Sequence, residues 1–299
     1  MAKEEAPEDS AMKNGLFREN NTLPPGETRI GALFSLKHKT AVVSGSDRGI
    51  GLSVAQGFAE AGANVAIWYH SNKDALKRAE EIEEKYGVKC KAYQVDATDF
   101  DNVRKVLHKT IHDLGGRLDV FVANAGIPWT QGRMIDGELS HYRAVVSTDL
   151  DSVFYTAKAA GEVFRSQYES GVDAFGEKLQ HYSYGSFIAT SSMSGHIANI
   201  PQLQAAYNAA KAGVRHLCKS LAVEWVKFAR ANSISPGYIA TEISDFVPPA
   251  TKAIWRSKIP MGREGQPAEL KGAYLYLASD ASSYTTGCDI IADGGYTSV

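Results

Sequence analysis

Cysteine is scarce: Cys90, Cys218 and Cys288 are the only three in 299 residues, and their spacing suits no metal site. That usage excludes a disulfide-stapled secreted scaffold and leads us to expect reduced thiols in the cytoplasm. No apolar run is long enough to cross a bilayer. Neither sign of charge prevails: the formal net charge is −2, too little to gather nucleic acid or an anionic membrane surface. The opening MAKEEAPEDSAMK is acidic and polar, whereas a secretory signal needs an apolar stretch and a transit peptide needs arginine. These absences set the first expectations: a cytoplasmic protein with no nucleic-acid partner, no membrane contact and no metal ion.

What is present is a regular alternation. Short apolar runs (TAVVSG, NVAIWY, KAYQVD, LDVFVANAG, GSFIATSS, RANSISPG and DIIADGG) are separated by amphipathic stretches such as GIGLSVAQGFAEAG and KDALKRAEEIEEKYG. Near-continuous apolar strands between helices predict a parallel sheet covered on both faces. Right-handed crossovers then make it an α/β, single-domain Rossmann fold: a doubly wound sheet of about seven strands. Residues 1–34, with little periodicity, read as a flexible arm ahead of a domain over 35–299. The stretch 168–184, before the fifth strand, is longer than an ordinary connection and reads as a surface excursion, a lid or an oligomer contact.

AVVSGSDRGIGLSVAQGF runs from a strand through a glycine turn into a helix, with Gly45, Gly49 and Gly51 in a G-x-x-x-G-x-G spacing. Missing side chains let backbone approach a pyrophosphate, and the helix N-terminus offers oriented N–H groups and partial positive charge. Glycines also serve plain tight turns; position directly after the first strand is what favours a nucleotide. The second strand ends IWYHSNKD, so Tyr69, His70 and Ser71 stand where a carboxylate would hold the ribose hydroxyl of NAD. Arg48 and Ser71, with Asn72 or Lys73, suit a 2′-phosphate instead, and NADP(H) is the expected nucleotide.

GSFIATSS ends in Ser191 and Ser192, which face opposite ways if extended, so only one can enter the crevice. Fifteen residues after Ser192 comes Tyr207, and Lys211 follows one helical turn later. A free phenol titrates near about 10, too high for efficient proton exchange at neutral pH, and a neighbouring ammonium lowers it. Ser192 can donate to an oxygen that gains negative charge during hydride transfer, and Tyr207 can supply or take its proton.

In their joint order SGSDRGIG, VDATD, ANAG, Ser192, YNAAK and SPGYIATEI resemble the short-chain dehydrogenase/reductase superfamily over residues 36–299. The resemblance implies a homotetramer, with a homodimer as the alternative, and assigns catalysis to Ser192, Tyr207 and Lys211. It gives Asp96 to the adenine, Asn124 to the sheet edge and cofactor, and Ile239 and Thr241 to the nicotinamide amide. Ile50, Gly126, Pro236 and Gly237 join the cofactor site, which Tyr207 and Lys211 also touch. One position departs: Asp149 stands where the superfamily has an asparagine whose carbonyl holds a water on the lysine. Asp149 is therefore a fourth catalytic candidate, through its carbonyl or by pairing with Lys211 through that water.

The C-terminal third (SMSGHIANIPQLQAAYNAAKAG, IPMGREG and the segments after them) is similar to fungal NADP-dependent mannitol dehydrogenases, sorbose and L-xylulose reductases and yeast carbonyl reductases. That implies a ketone or ketose reduced to a secondary alcohol or polyol. Two alternatives stay open: a ketoreductase of secondary metabolism with a bulkier apolar substrate, and a non-catalytic NADP-binding sensor or scaffold. Substrate contacts are expected from loops: Trp129 and Gln131, His196 and Asn199, and Phe246 and Trp255 in a lid-like segment. Packing or interface roles for the tryptophans, and an ordinary hydrogen-bonded loop role for His196, are the commoner ones for such residues.

Overall fold

The stretches of Val, Ile, Ala and aromatic residues form seven strands in the computed structural model, which describes residue 17 and residues 21–245 and 247–299. They are β1 Thr40–Ser44, β2 Asn64–Tyr69, β3 Cys90–Gln94, β4 Val120–Ala123, β5 Gly185–Thr190, β6 Ala229–Pro236 and β7 Asp289–Ala292. All pair in parallel in the order β3-β2-β1-β4-β5-β6-β7. The order reverses between β1 and β4, where a doubly wound sheet opens its crevice at the carboxyl ends of the strands.

Among the described residues eight longer helices accompany the strands: α1 Gly49–Glu60, α2 Asp74–Tyr86, α3 Phe100–Asp113, α4 Leu139–Val146, α5 Ser152–Ser170, α6 Ala205–Glu224, α7 Pro249–Lys258 and α8 Lys271–Ala278. Period-two alternation decides which strand residue meets which layer. Val42, Trp68, Phe121 and Phe187 pack with Leu107 of α3, Phe164 of α5 and Val214 of α6. Their neighbours Val43, Ile67, Val122 and Ile188 pack with Phe58 of α1, Ile82 of α2 and Tyr274 of α8. Each such fully buried side chain stabilises the fold by about 1.5–3 kcal/mol.

Of the arm expected over 1–34, residues 1–16 and 18–20 lie outside the described residues; Ile30–Leu33 form one exposed helical turn. The excursion is fastened at the amino edge of the sheet. Arg117 grips Asp119 with two hydrogen bonds (2.8 and 2.6 Å) and donates to Gln180 O at 2.8 Å. Ala174 N donates to Gly116 O (2.8 Å), and Val172 and Lys178 form an antiparallel bridge. Ser192 lies past the opposite end of β5, so the 168–184 segment is no lid over it.

Candidate active site

β5 delivers the two serines and separates them. Ser191 Oγ donates to the carbonyl of Lys211 at 2.8 Å, which turns it into the protein. Ser192 caps the tight turn Met193–Gly195, accepting from Ser194 N at 3.1 Å, and lines a cleft of about 120 Å³. That turn lies flat on α6: a Cβ on Gly195 would sit 2.9 Å from Ala212 N, so Ser192 is held close to the helix. Tyr207 and Lys211 share a face of α6, with the ammonium 5.4 Å from the ring centre. Tyr207 is half-buried and lines the same cleft as Ser192.

Asp149 resolves the departure seen in the sequence. Between α4 and α5 the chain widens, and Ser152 N–H reaches back to Ser147 O, five residues away. Such a wide turn is rare and concentrates at functional sites. Here it swings the carboxylate of Asp149 inward, wholly buried, to 3.0 Å from Lys211 Nζ. The contact is an ion pair without hydrogen-bond alignment at Oδ1, while Oδ2 accepts from Ile127 N at 3.0 Å. Lys211 also donates to Thr190 O at 3.1 Å. Gly126 makes room, since a Cβ there would fall 2.6 Å from Asp149 Oδ1. The carboxylate thus meets the ammonium directly rather than through a water.

This geometry reorders the electrostatics. Burial raises the Asp149 pKa, with Lys211 and the Ile127 N–H working against it. For Lys211, burial presses downward, yet Asp149 and Tyr207 outweigh it and the value rises. The Tyr207 phenol is raised, first by burial and then by Asp149; Lys211 and Ser192 pull the other way. Lysine has the expected downward effect on the phenol, but burial outweighs it, and the buried anion beside the ammonium adds to the rise.

At the other end of the crevice Gly45 and Gly49 take left-handed φ values of 59° and 56°. A Cβ on Gly51 would meet Gly45 O at 2.3 Å, so helix and turn close up only because it is glycine. No side chain caps α1, whose Arg48, Gly49 and Ile50 lead into it, and its first N–H groups present an anion seat. Asn124 fixes the turn, donating to Ser44 O and Gly45 O (3.1 and 2.9 Å) and accepting from Thr190 Oγ1 (3.1 Å). Thr241 stands across from Gly49, and Gly237, after Pro236, abuts Asp293 too closely for any side chain. Ile239 is buried beside Gly265. Beyond β2, Ser71 is exposed, as is most of the Arg48 side chain, while Asp47 is engaged by Asn72 Nδ2 at 3.2 Å. Asp96, past the end of β3, is exposed and accepts from Thr98. Tyr69 ends a strand and Lys73 precedes α2, so their four-residue spacing is not a helical pair.

The expected substrate residues divide. Trp255 lines the cleft, stacked on Tyr238 with ring centres 4.0 Å apart. Asn199 lies behind the wall, bonded to Tyr238 OH (3.3 Å) and Gln204 (3.1 Å). His196 does not line it: Asp289 takes its Nε2 at 2.7 Å and Arg215 its Nδ1, which binds the ring beneath β6 and β7. Trp129 is buried in its own loop against His141, donating to Gly132 O, and Gln131 accepts from Glu138 N. Phe246 lies outside the described residues. Gln202, Gln204, Met193 and Tyr238 also line the cleft and were not anticipated; Gln204, at the entry to the helix three residues before Tyr207, carried a readable signal.

Comparison with known proteins agrees with this layout. Residues 45–297 match the family described as Enoyl-(Acyl carrier protein) reductase. The chain is 61% identical over 286 residues to the L-xylulose reductase of Hypocrea jecorina (strain QM6a), covering 96% of this chain and 99% of that one. It is 51% identical over 291 residues to a probable NADP-dependent mannitol dehydrogenase of Yarrowia lipolytica, covering 97% and 99%. The crystal structure of the NADPH-dependent 3-quinuclidinone reductase from Rhodotorula rubra superposes with a TM-score of 0.84 at 38% identity, covering 93% of this chain and 98% of that one. With a doubly wound parallel sheet, a glycine turn after β1 and Ser192, Tyr207 and Lys211 gathered at its carboxyl edge, the chain belongs to the short-chain dehydrogenase/reductase family.

Proposed function

We propose that the protein reduces a ketose or similar ketone to the polyol or secondary alcohol with NADPH, and catalyses the reverse oxidation. The observation that carries this reading is Ser192 and Tyr207 meeting in one cleft with the buried Lys211 ammonium beside the Tyr207 ring, in a chain close to ketose and polyol oxidoreductases along nearly its whole length. The glycine turn, the uncapped start of α1 and exposed Arg48 and Ser71 suit the phosphates of NADP(H). Gly45, Arg48, Gly49, Ile50, Gly51, Ser71, Asp96, Asn124, Gly126, Pro236, Gly237, Ile239 and Thr241 would hold it. When bound, NADP(H) supplies or accepts the hydride. Ser192 Oγ donates to the substrate oxygen as charge grows there, and Tyr207 passes its proton to that oxygen or removes it. Lys211 offsets the phenolate charge, and Asp149 holds Lys211 in place.

Exposed Leu139, Tyr142, Phe154 and Tyr168 on α4 and α5 support a homo-oligomer, which we propose is a tetramer in the cytoplasm. Among the described residues no helix is long and apolar enough to cross a membrane. A second reading, a bulkier apolar ketone, is favoured by the wall of Met193, Ile243, Val247, Tyr238 and Trp255.

The test is NADPH consumption, followed by absorbance, with sorbose, fructose, L-xylulose and an aryl ketone, and with NADH in place of NADPH. Turnover of the sugars with NADPH is the expected result. Turnover of the aryl ketone alone selects the apolar reading; NADPH binding with no turnover of any ketone refutes catalysis. Asp149→Asn then probes the ion pair. It removes an influence that raises the phenol, so the rising limb of the oxidation rate against pH is expected to move to lower pH. An unmoved limb rules out electrostatic control of Tyr207 by Asp149.

A further inference from the structure

Gln204 occupies the position just before α6, one turn ahead of Tyr207, and lines the same cleft as Ser192 and Tyr207. Its amide nitrogen is committed: Nε2 lies 2.9 Å from Ser194 Oγ and 3.1 Å from both Asn199 Oδ1 and Asn208 Oδ1. The two asparagines cannot turn their oxygens elsewhere without loss. Asn199 uses its nitrogen on Tyr238 OH (3.3 Å), and Asn208 uses its own on Ile197 O (3.3 Å). Facing acceptors, the Gln204 amide has one satisfying orientation, NH₂ inward. The carbonyl Oε1 is what remains. Among the described residues nothing donates to it, and it is not one of the fully enclosed polar atoms left without a partner. It is therefore open to the cleft.

The cleft walls opposite are apolar: Pro128, Met193, Ile239, Ile243, Val247 and Trp255. An acceptor fixed by three neighbours in such surroundings discriminates between ligands. A hydroxyl placed against it regains a hydrogen bond, whereas an apolar group leaves a desolvated carbonyl unpaired. The acceptor lines the same cleft as Ser192 and Tyr207, so the hydroxyl it meets lies close to the reacting carbon. We infer that Gln204 is a specificity-determining residue whose Oε1 accepts a hydrogen bond from a hydroxyl adjacent to the substrate carbonyl, selecting α-hydroxyketones over plain ketones. The inference rests on the ketone-reductase reading above.

A cycle of one substitution and one substrate change tests it. Wild type and Gln204→Met are compared on L-xylulose and on its analogues lacking the hydroxyl at carbon 1 or carbon 3. In wild type, removing one of these hydroxyls is expected to lower kcat/KM about tenfold, the equivalent of one hydrogen bond. In Gln204→Met that difference disappears, with L-xylulose slowed to the rate of the analogue. Equal slowing of all three substrates by the substitution shows a structural role and overturns the inference. Wild type indifferent to both hydroxyls overturns it without any variant, so a misfolded Gln204→Met leaves the test standing. A wild type that reduces none of the three, nor any other ketone, fails the reductase reading itself.

Discussion

Tyr207→Phe is expected to lower kcat about 10²–10⁴-fold, the range a positioned proton donor contributes. The substitution removes one oxygen and keeps the ring that packs against Trp129, Val145 and Ala206. The fold, the Asp149–Lys211 pair and the glycine turn should persist. NADPH affinity, read by titration of nucleotide fluorescence, should change by no more than about tenfold, one hydrogen bond's worth. Loss of turnover with binding retained places the proton on this phenol. A variant with the wild-type rate would move the acid/base role to another group, and with it the reading of the cleft.

Lys211→Met should produce the largest change in stability. The substitution leaves the carboxylate of Asp149, wholly buried, without its counter-charge. Breaking a buried pair from one side costs about 3–5 kcal/mol. The sign with pH follows from linkage. Asp149 is raised by burial even in the intact chain, and Lys211 is the chief influence holding it down. Without Lys211 it rises further, so the folded variant binds its proton more tightly than the unfolded chain does. Stability gained that way is present at acid pH, below the ordinary carboxyl value, and is lost as pH rises through the raised one. Lys211 in the intact protein is itself raised, so what it contributes is full below its ordinary value and lost only in alkali. The deficit of Lys211→Met against wild type should accordingly be small in acid and grow toward neutrality. Adding Asp149→Asn should recover stability at neutral pH and flatten the dependence. Thermal unfolding of the three proteins at acid and neutral pH measures this; a deficit equal at both sinks the electrostatic account.

Why some of this was readable in the chain and some was not follows from where the partners lie. Near-continuous apolar runs marked all seven strands to within a few residues, because strands buried on both faces tolerate little else: GSFIATSS became Gly185–Thr190. The hydroxyls past that strand, with Tyr207 and Lys211 one helical turn apart, are local spacings that secondary structure converts directly into neighbours. Other features are set by distant partners. His196 was a reasonable choice for a pocket loop until Asp289, 93 residues on, captured its ring. Asp149 reaches Lys211 only because the turn at Ser147–Asp151 widens and Gly126 leaves space. The orientation of Gln204 depends on three oxygens from three segments. Periodicity is silent on such meetings.

The fastening of the excursion at the amino edge has a practical corollary. Its tip, around the half-exposed ring of Phe175, rests on Gly116 and His112, with the whole sheet between it and the nucleotide crevice. A reporter dye or affinity handle spliced in there would track assembly of the β4–β5 rim and leave hydride chemistry untouched. Swapping this stretch between relatives would change what the protein touches on its far side without retuning what it converts.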